Sequence, residues 1–164
     1  MSGRPPCAVN ELANLVVDQI RSHAEQHPEL WHQVPATLER GVRASQFNAA
    51  RPLVVIHVDS VEDPEGEGIA PQSIHRSTAV MMIACAVDQA SDPEGQAHEI
   101  AADVRRALAA NEAMVNRAGD ALVNATWLWP RGYSVVVGID DAGAGEAVAM
   151  MEYRLEFDWT HAAT

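Results

Sequence analysis

The chain has 164 residues, about half of them apolar, and a formal net charge of −12. That size and composition point to one domain with a core of its own, in which no disulfide or metal staple is required. The acidity argues against a duplex-binding protein with a basic stripe; it does not argue against DNA passing nearby, because acidic side chains repel phosphate and prevent sticking.

The basic complement is all Arg, with no Lys, and with the many Ala this reads as the codon bias of a GC-rich genome. Cys7 and Cys85 do not form a disulfide framework, and Cys85 sits in an apolar run as a small buried hydrophobe. The opening residues lack the apolar stretch of a signal peptide. No window is apolar for long enough to span a bilayer, so a soluble intracellular protein with no membrane partner is expected.

Residues 1–8 read as a flexible lead-in to a single domain. From Val9 to Ala24 the apolar residues Val9, Leu12, Ala13, Val16, Val17 and Ile20 recur at helical steps. This helix is expected to stop at His27, since the residue before Pro28 avoids the helical region. Residues 28–50 carry no clear period. Within them Trp31 and Phe47 need shelter, and Ala36–Arg43 has room for a short helix after Pro35.

Leu53–Val58 (LVVIHV) is a β-branched run that reads as a strand buried on both faces. Residues 59–73 are acidic and contain Gly and Pro, the mark of a long loop between strands. Ile74–Val87 is the second strand and is placed at the sheet centre. A helix then runs to about Ala110, with either Ser91 or Asp92 as N-cap. Its stripe is Ala97, Ile100, Ala101, Val104 and Leu108; Glu99, Asp103, Arg105 and Arg106 lie off it.

Leu122–Trp129 and Tyr133–Ile139 are expected as two strands turned by Pro130-Arg131-Gly132. Residues 140–146 form a turn into the last strand. There Ala149, Met151, Tyr153, Leu155, Phe157 and Trp159 alternate with Met150, Glu152, Arg154, Glu156 and Asp158. A period of two gives this strand one apolar face and one charged face. The expected fold class is α+β: two layers, one mostly antiparallel sheet of about four to five strands, and two main helices packed on one face.

The chemistry-bearing residues form no catalytic motif. His23 and His27 have the i, i+4 spacing of a helical metal pair, but no third ligand is evident, and with His32 they read as surface histidines at a helix end. His57 reads as a hydrogen-bonded core residue. The loop acids Glu62, Asp63, Glu65 and Glu67 do not follow the order of a calcium-binding loop. Trp127 and Trp129 share a strand face, as core or interface anchors. No catalytic, cofactor-binding or metal-ligating residue is assigned.

The order of elements is informative as a whole. An amphipathic helix precedes LVVIHV, an acidic loop and a central strand; then come DPEGQAHEIAADVRRALAA, a strand pair and the closing MEYRLEFDW. In this the chain resembles the tail terminator (tail completion) proteins of long-tailed bacteriophages. The resemblance covers most of residues 9–160 by pattern, with Tyr153, Arg154, Leu155 and Phe157 matching the family's alternating last strand. It implies a structural virion protein without enzymatic activity, forming a homo-oligomeric ring, usually a hexamer. Such a ring caps the finished tail tube, stops its polymerisation and meets the neck or head-completion protein. DNA would pass through the lumen without specific binding. The face carrying Glu152, Arg154, Glu156 and Asp158 is then the candidate lumen or subunit-contact surface. The loop with Glu62, Asp63, Glu65 and Glu67 is a candidate contact element. A neck or tail-tube protein is the nearest alternative. A small intracellular α+β enzyme or ligand-binding domain is the alternative of another class.

Overall fold

A computed structural model describes residues 8–63, 74–90, 92–111, 125–139 and 145–160. The protein is α+β in two layers: a five-stranded mixed sheet with two helices on one side. Helix α1 (Ala8–Gln26) buries Leu12, Ala13, Val16, Val17, Ile20 and Ala24, the stripe its period requires. It ends one residue before His27-Pro28, where the His27 N–H still reaches the His23 carbonyl at 2.9 Å. Helix α2 (Pro93–Ala109) begins at Asp92, whose side chain accepts from the Gly95 N–H at 3.0 Å. Of the two expected caps, Asp92 is the one used; Ser91 lies outside the described residues. An ideal Cβ on Gly95 would fall against an Asp92 carboxylate oxygen, so a larger residue there requires the capping side chain to shift.

The strands are β1 (Thr37–Arg40), β2 (Leu53–Glu62), β3 (Ile74–Ala90), β4 (Ala125–Ile139) and β5 (Gly145–Thr160). They lie in the order β1-β2-β3-β5-β4, with β1 and β2 parallel and every other neighbour antiparallel. The apolar run of β3 therefore stands at the centre, as its composition predicts. Helix α2 carries the chain from β3 to the far edge, where β4 forms, and β5 then returns between them.

Three expectations are corrected. Residues 36–43 form no helix: Thr37–Arg40 pairs with Leu53–Ile56 as the edge strand β1. Arg40 ties that edge to α1 by donating to the side chains of Asn10 and Asn14, so long-range contacts decide its conformation. The acidic loop is shorter than residues 59–73, because β2 runs on through Glu62 after a bulge between Val58 and Ser60. Pro130-Arg131-Gly132 makes no turn. Residues 125–139 are one strand, with Arg131 the extra residue where the register steps from Pro130–Tyr153 to Gly132–Glu152. Proline is tolerated there because β4 is an edge strand, and Gly132 supplies a φ of +123°.

The core lies between the helices and one face of the sheet. On β5 the residues Ala149, Met151, Tyr153, Leu155 and Phe157 are each at most 4 % exposed. Val54, Ile56, Ala79, Met81, Ile83 and Cys85 complete the same layer from β2 and β3. Burial pushes the Cys85 thiol far above its ordinary pKa. On β2 Leu53 and Val55, which face away from the helices, are buried as well, so Leu53–Ile56 is enclosed on both sides, whereas His57 and Val58 of the expected run are half-buried.

Candidate functional site

The strand registers lay out the face that no described helix covers. Across its middle run Trp129, Arg154, Val80 and Ser60 in one row and Gly132, Glu152, Met82 and His57 in the next. Towards one end the row is Glu156, Thr78 and Glu62; towards the other it is Ser134, Met150, Ala84 and Val55, then Val136, Val148, Ala86 and Leu53. The helix-free face is thus divided along its strands. Around Arg154 it is charged, the next two rows are small and apolar, and the last row, Gly138, Glu146 and Asp88, is acidic again.

The charged cluster is organised by Arg154. Its Nε donates to Glu152 Oε1 and its Nη1 to Glu62 Oε2, both at 3.1 Å. Glu62 and Glu152 come from different strands with β3 between them, so one guanidinium links β5 to β2 across β3. Acidic groups outnumber Arg154 here, and the cluster keeps a negative balance. Glu152, Arg154 and Glu156 fall together on this face as the alternation of β5 requires, each half-buried. Asp158 is in register with Arg76, and its side chain lies outside the described residues.

Two of the loop acids belong to strand-end contacts. Glu62 is the partner of Arg154, and Asp63 accepts from the buried Ser77 hydroxyl at 2.5 Å. Glu65 and Glu67 lie outside the described residues. His57 is half-buried on the helix-free face with its Nε2 4.0 Å from Asp59, and its buried Nδ1 has no hydrogen-bond partner among the described residues. It is therefore not the hydrogen-bonded core histidine expected. The side chain of Trp127 is outside the described set, while Trp129 is half-buried opposite Arg154.

A second cluster has no counterpart among the sequence motifs. Asp103 is fully buried on α2, although the helical stripe places it outside. Its carboxylate accepts from the His32 N–H at 2.8 Å, from His32 Nδ1–H at 3.0 Å and from Arg106 at 3.0 Å. Arg106 also donates to the Leu30 carbonyl at 2.5 Å. The one local signal is position: Asp103 is three residues after Ile100 and four before Ala107, both buried. The bond to Asp103 holds the His32 ring through Nδ1, and His32 lines a cleft of about 200 Å³ with Gln96 and Glu99.

The helix-end histidines are not all on the surface. His23 is 8 % exposed and accepts from the Trp31 indole at 3.1 Å. No set of three His, Cys, Asp or Glu with metal-site geometry occurs among the described residues. Comparison of the chain with known protein-family models and with curated proteins gives no match.

Proposed function

We propose that the protein is a bacteriophage tail terminator, a structural protein that forms a ring, caps the tail tube and joins it to the neck. The observation that carries this reading is the helix-free sheet face, on which small and apolar rows lie beside the charged cluster around Arg154. A closed ring made by head-to-tail contacts needs two complementary surfaces on each subunit, and the apolar rows of this face are a candidate for one of them. Half-buried Met150 and Val148 are fitted to contact with a neighbouring subunit. Glu152 and Glu156, with the −12 net charge behind them, suit a lumen through which a phosphate backbone slides without being trapped. Helices would then face outward. Partners are further copies of the chain, the tail tube protein and the neck or head-completion protein.

Native mass spectrometry tests the reading directly, together with a tube-growth assay. The expected result is a closed ring that halts polymerisation of tail tube protein at its end. A chain that stays monomeric at high concentration and leaves tube growth unchanged overturns it. An assembly whose density places Glu152 and Glu156 on the outer surface removes the lumen assignment.

One observation favours a second reading, a ligand-binding or enzymatic domain: the imidazole of His32 held by buried Asp103 beside a cleft. That reading predicts a monomer or dimer in which His32→Ala abolishes binding of a small ligand and leaves assembly untouched.

A further inference from the structure

Residues 27–33 form a strap across the ends of both helices. Its turn, Pro28–Leu30, buries no residue of its own, so the strap depends on the side chains on either side. His32 is tied to Asp103 by backbone and ring, and the Leu30 carbonyl to Arg106. Trp31, only 7 % exposed, is tied differently: its indole Nε1–H donates to Nδ1 of His23 at 3.1 Å. An indole N–H can only donate, so this bond needs a lone pair on Nδ1. The neutral imidazole with its proton on Nε2 provides one. The imidazolium does not, since both its nitrogens are donors, and protonation would set two donors against each other away from water.

The groups facing His23 come from every neighbouring element. His27 opens the strap directly after α1, its ring centroid 5.3 Å away; Arg106 and Asp103 face it from α2, Glu29 from the turn. Burial is the largest influence, His27 and Arg106 act with it, and Glu29 and Asp103 act against it. The result holds His23 below the ordinary histidine value of about 6.5. His32, further along the strap, is bonded to Asp103.

We propose that His23 and Trp31 form an acid-operated latch: a proton on His23 takes away the acceptor of Trp31, and the indole leaves its pocket. Asp103 keeps its grip on His32, so the strap opens from its α1 end. Pro28 also lines an apolar cleft of about 370 Å³ with Ala24, Val34 and Leu38, and release of the turn widens it. Val34 in its lining is already 42 % exposed and Leu30 of the turn 45 %, and opening enlarges this apolar surface. The inference does not depend on the tail reading.

The test is NMR of the isotope-labelled full chain, following the Trp31 indole N–H, assigned with Trp31→Phe, together with the His23 ring. The indole signal is expected to move from a hydrogen-bonded to a free position as pH falls below about 6.5, in step with His23 and with the helical circular dichroism unchanged. His27→Gln removes an opposing charge and shifts the transition to higher pH. His23→Gln keeps a neutral acceptor and holds the indole in place throughout. An indole signal that stays constant while His23 titrates overturns the latch. So does a transition that persists in His23→Gln. If that variant does not fold, a transition that fails to move in His27→Gln overturns the latch instead.

Discussion

Arg154 on β5 reaches over β3 to Glu62 on β2, Nη1 to Oε2 3.1 Å, across 92 positions of chain. The same guanidinium holds Glu152 on its own strand. The acidic face of the sheet is therefore cross-braced at its centre by its one described β5 cation. Arg154 and Glu62 have side-chain exposures of 30 % and 52 %, so water and salt screen the pair. Arg154→Ala should lower stability by no more than about 1 kcal/mol in urea unfolding. Arg154→Glu should lower it further by setting like charges together, and about 1 M salt should recover most of the difference. A loss of several kcal/mol from the alanine variant would mean that the pair is far less solvated than its exposure indicates.

Leu155 and Met150 test which face of β5 is the core. Leu155 is fully buried under the helices, while Met150 is half-buried on the opposite face. Leu155→Ala should cost about 2–5 kcal/mol through lost contacts and a cavity. Met150→Ala should cost about 1 kcal/mol or less. Met150→Asp should spare the monomer and block ring formation if the apolar rows of that face are a subunit contact, as read by native mass spectrometry at matched concentrations. Equal losses for the two alanine variants would put a packed layer on both sides of the sheet.

The contrast between those residues shows what sequence can carry. Alternation in β5, the stripes of α1 and α2 and the central place of β3 follow from period and composition, because one residue type repeats at the spacing its surroundings demand. Asp103 breaks its stripe and so reads as solvated, since its partner His32 lies over seventy positions away and no local pattern connects the two. Thr37–Arg40 looks helical after a proline, yet pairing with β2 overrides that propensity. Pro130-Arg131-Gly132 has the residues of a turn, and only its position on the sheet edge makes it a bulge. The charged residues of the candidate face are legible one by one. The brace between Glu62 and Arg154 is not, because it needs the strand order.

Gly132 carries the bulge on its φ of +123°, with no atom within 4 Å of where a Cβ would stand. The cost of Gly132→Ala is therefore backbone strain alone, about 1–3 kcal/mol. Gly138 lies further along the same strand without a positive φ and with the same open space, so Gly138→Ala should be neutral within about 0.5 kcal/mol. Thermal unfolding of the two variants side by side separates strain from contact. A loss at Gly138 as large as that at Gly132 would argue against the bulge as the cause.

His23 also sets how stability depends on pH. Its folded pKa lies below its ordinary value, chiefly through burial, so between the two values the unfolded chain binds more protons than the folded one. Stability must then rise with pH across that window. The contribution of neutral His23 is complete above about 6.5 and is lost as pH falls from there towards the folded value. Urea midpoints for the wild-type chain should therefore be lower at about pH 5.5 than at about pH 7.5. The fall should be smaller in His23→Gln, which binds no proton in either state. The acidic pairs also weaken on the acid side, so the informative quantity is the difference between the two proteins. If His23→Gln loses as much stability as the wild type over that interval, His23 is not the group being titrated. The indole bond to Trp31 would then be only a packing contact.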